Sequence, residues 1–188
     1  MPANEASSPI ALPYASCPAP RAPATFPLAR PPLHPPIATM KELPHTHSCF
    51  VCGESNPAGL NLRFETDGTK VFTRFTPRPE HIGFKGVIHG GILSTVLDEI
   101  MVWACAVPTK RFAYCVELTV RFSTPARPGE LLTVTSELTS NRRNKIFEAK
   151  SEIRNEQNQL LCSATGKYFA VPDSDIQPML DDLVGGTD

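Results

Sequence analysis

The chain has no basic excess. Its 18 Lys and Arg face 19 Asp and Glu, for a net charge of −1. The cationic footprint that nucleic acid demands is therefore missing, and no nucleic-acid partner is expected. No run of 18 apolar residues occurs, so the sequence predicts no membrane span and no membrane partner. The N-terminus has no basic segment followed by an apolar one, which excludes a secretory signal. Six cysteines in 188 residues are too sparse for the disulfide framework of a small secreted domain. With no secretory signal they read as reduced thiols, and the protein as cytoplasmic.

Proline, by contrast, is abundant and unevenly placed. Of 20 prolines, 11 lie in residues 1–39 and a twelfth is Pro44. Each proline removes a backbone donor and clashes with a preceding helical turn. Residues 1–39 therefore read as a disordered, polyproline-like arm. Composition changes at Met40. Either Met40 is the natural start or the arm is a genuine flexible leader, and a chain starting at Met40 is expected to keep full activity. Residues 40–171 form one domain by length. Residues 172–188 read as an acidic tail, with a short apolar face at Ile176, Met179, Leu180 and Leu183.

Within the domain, hydrophobic period announces the elements. Leu60, Leu62 and Phe64 alternate with polar residues, as a strand with one wet face does. Asp67-Gly68 is a hairpin signal, and alternation resumes over residues 71–75. Residues 89–107 contain no proline and are apolar around most of a helical circumference, so they read as one buried helix. Period two then returns over residues 114–122, 131–138, 146–153 and 160–169. The turn clusters at 125–129, 141–144 and 155–158 are of hairpin length, so these strands are expected to be antiparallel neighbours. One buried helix needs a surface to wrap it, which a strongly curved antiparallel sheet supplies. The fold class is α+β.

The helix begins at His89-Gly90-Gly91. Two glycines let a substrate approach the backbone, and the free N–H groups of the first turn suit an oxyanion; tight packing against the sheet is the competing explanation. Asp98 lies seven residues on from Gly91, within ~20° of the same helix face, with Thr95 close to it. An ionised carboxylate on a buried helix is costly unless it is paired or functional. Glu99 is turned by ~100° from Asp98, and pairing with Arg121 or Lys110 is the competing role for either acid. Seven residues separate Gly91 from Asp98 by ~10 Å along the axis. One carbonyl cannot touch both, so joint action requires two chains with their helices side by side.

The segment His89-Gly90-Gly91-Ile92-Leu93-Ser94-Thr95-Val96-Leu97-Asp98-Glu99 resembles the central-helix motif of hotdog-fold acyl-CoA thioesterases of the phenylacetate-pathway and 4-hydroxybenzoyl-CoA type. Cys49-Phe50-Val51-Cys52-Gly53 with Asn56-Pro57-Ala58-Gly59-Leu60 resembles the start of one subgroup. Glu117-Leu118-Thr119-Val120-Arg121-Phe122 before Pro125 also matches. The resemblance runs from about Met40 to Val171. It implies a hotdog fold, a curved antiparallel sheet around one long central helix. It implies a homodimer or a homotetramer built as a dimer of dimers, acyl-CoA as substrate, and no cofactor. It implies Asp98 as nucleophile or general base and the Gly91 N–H of the other subunit as the group that polarises the thioester carbonyl. Relatives often carry a Thr where this chain has Cys115, so the water-positioning role departs from the pattern here.

Asp98, Gly91 and Glu99 are thus the catalytic candidates. His89, Gly90, Thr95 and Cys115 are expected to line the substrate. The turn Arg142-Arg143-Asn144-Lys145 is the densest positive cluster, so Arg142, Arg143 and Lys145 are candidates for coenzyme A phosphates; a solvated turn is the alternative. His45-x-His47-x-Cys49-x-x-Cys52 contains half of a zinc knuckle. Closed sites bring a second ligand pair from farther away, and no such pair stands at the right spacing. The motif is therefore read as structural, with no metal assigned. His81 reads as a surface loop residue, with a place at the pocket mouth as the alternative, and Trp103 and Phe84 as residues shaping the pocket. The expected activity is acyl-CoA thioester hydrolysis, with a non-catalytic acyl-binding hotdog module as the alternative.

Overall fold

The computed structural model describes residues 40–185. The arm assigned to residues 1–39 lies outside the described residues. The elements are β1 (Lys41–Glu42), β2 (His45–Thr46), β3 (Glu65–Thr66), β4 (Lys70–Phe75), α1 (Gly90–Thr109), β5 (Ala113–Phe122), β6 (Leu132–Arg142), β7 (Ile146–Asn155), β8 (Leu160–Ala170), α2 (Ile176–Asp181) and β9 (Leu183–Val184). Seven of the strands form one sheet in the order β1-β3-β4-β6-β7-β8-β5, every neighbouring pair antiparallel. The expected α+β hotdog architecture is present: one long helix lies against a single antiparallel sheet.

The helix is held by what its sequence offers. Val96, Leu97, Ile100, Met101, Ala104 and Cys105 are all fully buried, against Val71, Phe75, Leu132, Val134, Phe147 and Ile153 of the strands. Burying each large aliphatic side chain contributes about 1.5–3 kcal/mol, so this stripe dominates the stability of the domain. By length and composition alone α1 could cross a membrane, but nine of its residues, between Leu93 and Ala106, are buried within the domain. The helix runs two residues beyond expectation, through Pro108 to Thr109; the proline has no N–H to give to Ala104 O, and the helix ends one residue later. Lys110 then stops it in the left-handed conformation, its N–H bonded to Ala106 O.

Three expectations change. Residues 60–64 alternate in burial as predicted but make no ladder; they run extended, with Leu60 and Leu62 donating to Phe50 O and Val51 O of the cysteine loop. The hairpin strand itself shrinks to β3. Next, β5 and β6 are not neighbours. β5 pairs with β8 at the sheet edge, whereas β6 sits between β4 and β7. Residues 123–131 are therefore a crossover. They are tied at Leu161 O by Ser123 and Thr124, at Ala126 O by Ile88, and at Pro77 O by Gly129. The connection carries the chain from β5 at the sheet edge to the start of β6, which lies beside the end of β4. Finally, the tail is not a separate acidic segment: β9 pairs with β2, and Asp182 accepts from the Ser48 hydroxyl at 2.9 Å.

The β6–β7 connection is a two-residue turn. Arg143 and Asn144 both have positive φ, 57° and 53°, and Lys145 N–H donates to Arg142 O at 3.1 Å. This is the type I′ geometry that matches strand twist. It lifts the basic cluster to the tip of a long hairpin.

Candidate active site

The helix entrance is capped from within. The His89 Nδ1 accepts the Gly91 N–H at 2.9 Å, the ordinary role of an N-cap side chain. A substrate oxygen at Gly91 would have to displace that ring. His89 is exposed, so the displacement meets solvent rather than core. The Gly90 N–H beside it has no acceptor among the described residues. Gly90 is a close-approach position: a Cβ there would stand 3.0 Å from the Phe122 ring. Thr95 donates its hydroxyl to Gly91 O at 2.8 Å, so it stiffens the entrance turn.

Asp98 is half-buried, about two turns along the same helix face. Its Oδ1 accepts from the Tyr168 hydroxyl at 2.9 Å. Tyr168 is fully buried on β8, and burial with the neighbouring Asp98 charge raises its phenol far above the usual range. It therefore stays a donor and fixes the carboxylate. Cys115 joins this pair: it is the cross-strand neighbour of Tyr168, and burial, with Asp98 next, pushes its thiol up to about 11. The register shifts immediately after Cys115, where Val116 bulges outward and is half exposed. Neither Arg121 nor Lys110 pairs with Asp98 or Glu99; the described ion pairs lie elsewhere.

Glu99 is not gathered into that cluster. It faces the cysteine loop, where the Cys52 thiol donates to its Oε1 at 3.6 Å. Burial, followed by the negative charge of Cys49, pushes its carboxyl up to about 7. Cys49 and Cys52 share a hydrogen bond that drives Cys49 down and Cys52 up. His45 and His47 face away to Glu54, at 3.4 and 3.2 Å. The basic turn lies at the same end of the sheet as the Asp98 pair, since Tyr168 sits opposite Phe147 and Phe147 opposite Asn141. Arg142 is engaged by Glu148 at 3.1 Å; Arg143 and Lys145 are exposed.

Other candidates resolve plainly. His81 is buried rather than on the surface, stacked on Phe75 and accepting from Arg78 N–H at 3.1 Å, so it holds the loop before α1. Trp103 is buried edge-on to Phe112 and lines a groove of about 700 Å3 at the C-terminal end of α1. Phe84 is 84% exposed and lies outside both grooves. A second groove, of about 520 Å3, crosses the strands at Arg121, Thr135 and Lys150. Neither groove touches Gly91 or Asp98.

The residue that sequence reasoning missed is Tyr168. Its signal was available: an inward-facing tyrosine on a buried strand needs a partner for its hydroxyl, and Asp98 was the unpaired acceptor.

Comparison with known proteins bears on the family and the fold. Residues 85–162 match the family model described as the thioesterase superfamily. A Caenorhabditis elegans protein named "Putative esterase F42H10.6" is 29% identical over 105 residues, 55% of this chain and 61% of that protein. The chain thus spans less than two thirds of that relative. A crystal structure of the thioesterase superfamily protein RHA08564 aligns with a TM-score of 0.60 and 25% identity, over 65% of this chain and 63% of that one. The E. coli PaaI protein from the phenylacetic acid degradation operon gives 0.55 and 21%, over 60% and 81% of the two chains. A Streptococcus mutans protein solved bound to acetyl CoA gives 0.52 and 16%, over 55% and 82%. The last two likenesses bear on fold. Residues 85–162, from the loop before α1 to the start of β8, thus match the thioesterase superfamily, and the chain shares the hotdog fold with solved thioesterase superfamily structures.

Proposed function

We propose that the protein hydrolyses an acyl-CoA thioester at a site shared by two copies of the chain. The observation that carries this reading is the Asp98 carboxylate, held on α1 by the buried Tyr168 hydroxyl at 2.9 Å. A carboxylate so fixed can attack a carbonyl carbon or take a proton from an attacking water. In either route a new C–O bond forms at the carbonyl, the C–S bond breaks, and the CoA thiolate leaves and is protonated; where Asp98 itself attacks, the resulting acyl–aspartyl anhydride is then cleaved by water, which frees the acid and restores the carboxylate. The products are a free acid and CoA. The carbonyl oxygen gains negative charge during the attack. The Gly91 N–H of the second chain, with the positive end of its helix behind it, stabilises that charge. His89 yields the Gly91 N–H when substrate enters, and Gly90 allows close approach.

Two features support a second copy. Gly91 and Asp98 are ~10 Å apart along one helix axis. And β5 is a sheet edge whose Tyr114, Val116 and Phe122 are about half exposed, an edge that pairing with another chain would cover. Acyl-CoA as the substrate draws support from the acetyl-CoA-bound neighbour and from the exposed Arg143 and Lys145, which suit phosphate groups. Glu99 has no part in this step.

The test is a panel of acyl-CoA thioesters, followed by release of free CoA, with wild type and Asp98→Asn side by side. Turnover of at least one thioester by wild type and its loss in the variant is expected. Undiminished turnover in the variant would refute the role of Asp98. A wild type inert on every thioester would refute the activity.

A further inference from the structure

We infer that Cys49, Cys52 and Glu99 form a zinc site that staples the N-terminal loop to α1. The sulfurs of both cysteines and a Glu99 carboxylate oxygen lie within 4.8 Å of one another. A tetrahedral zinc, with Zn–S of about 2.3 Å and Zn–O of about 2.0 Å, sets a sulfur and an oxygen ligand about 3.5 Å apart and two sulfurs about 3.8 Å apart. The Cys52 Sγ to Glu99 Oε1 separation is 3.6 Å. The cluster is thus at coordination spacing with little movement required.

The loop is also wound as a metal knuckle requires. Val51 N–H donates to Cys49 Sγ at 3.2 Å, and Thr46 N–H donates to Cys52 Sγ at 3.4 Å. Such bonds favour thiolates. Gly53 closes the turn, its N–H on Cys49 O at 2.9 Å. A Cβ at Gly53 would fall 2.3 Å from that same oxygen, so only glycine permits this winding.

The spacing Cys-x-x-Cys supplies one ligand pair, and the distant ligand that such sites need arrives from α1, 47 residues on, as a carboxylate rather than a second cysteine pair. His45 and His47 are not the missing ligands, because both rings are turned to Glu54. Two thiolates with one carboxylate select zinc among common divalent ions by their softness and tetrahedral preference. The fourth position is left to a water. On binding, the metal replaces the thiol proton now shared between Cys52 and Glu99, which leaves as H+. The consequence is mechanical: the loop that bonds Leu60, Leu62 and Asp182 is fixed one residue from Asp98. This inference does not depend on the proposed hydrolysis.

The test uses the full-length protein purified without chelator, with zinc counted by elemental analysis and cobalt(II) as a spectroscopic probe. About one zinc per chain is expected, together with a thiolate-to-cobalt charge-transfer band and a higher melting temperature with metal than without. Cys49→Ser and Cys52→Ser should each abolish the band. Glu99→Gln removes a buried charge and spares both sulfurs, so it should fold while its zinc affinity drops at least about tenfold. No zinc and no cobalt band in folded wild type would overturn the proposal. So would a Cys49–Cys52 disulfide in protein purified without reductant. Unchanged zinc affinity in Glu99→Gln would remove the carboxylate from the site.

Discussion

Asp98 and Tyr168 make the smallest unit in which the proposed chemistry is visible. Tyr168→Phe removes one hydroxyl and no packing volume. It should cost about 1 kcal/mol of stability and lower kcat about tenfold or more while KM stays within about twofold, because the carboxylate loses its aim and the substrate loses no contact. Steady-state kinetics on a responsive acyl-CoA check this; a rise in KM alone would place Tyr168 in substrate binding. Of this unit the sequence exposes Asp98, since a charge on an apolar helix at seven residues from a glycine pair is conspicuous. It does not expose Tyr168, which is one more inward residue in a period-two strand until the sheet brings it across 70 positions. Glu99 shows the converse. Its neighbour in sequence is Asp98, but ~100° of helical turn sends it to the cysteine loop.

At the scale of elements, the long helix and the four long strands were legible because their periods are unbroken. What periodicity leaves out is pairing. The turn at 125–129 looks like the other turns, and only the strand order of the sheet makes it a crossover that leaves β5 at the edge. The packing of helix on sheet makes a direct prediction: Leu97→Ala should cost about 2–5 kcal/mol, read from denaturant unfolding, since it opens a cavity at the fully buried centre of α1. The sheet also carries a pH-dependent pairing. Glu137 on β6 bridges Lys150 on β7 at 2.7 Å and Lys70 on β4 at 3.2 Å. These bonds hold its carboxyl below the ordinary value of 4.5. The native state then binds fewer protons than the unfolded chain, so the contribution is complete above 4.5 and is lost as pH falls through the lowered value. Being near the surface, it amounts to under about 1 kcal/mol. Melting curves of wild type and Glu137→Gln should differ at neutral pH and converge in acid.

For the molecule as a whole, the proposed function requires a second copy. Both grooves leave Asp98 and Gly91 outside, and in the proposed dimer the helix entrance and the acid face a partner surface. The basic hairpin tip belongs to this scale too. Arg143→Glu should raise KM for acyl-CoA about tenfold, the loss of one charge-assisted phosphate contact, with kcat nearly unchanged. The sharpest measurement mixes two inactive chains. Asp98→Asn lacks the acid. Gly91→Pro lacks the N–H, at a first-turn position where a helix tolerates proline. Each should be inactive alone in CoA release. Unfolded together and refolded as mixed dimers, they restore one intact site per heterodimer, made of Asp98 from one chain and Gly91 from the other, and activity should return. Mixed dimers that form and stay inactive would contradict a site shared between chains.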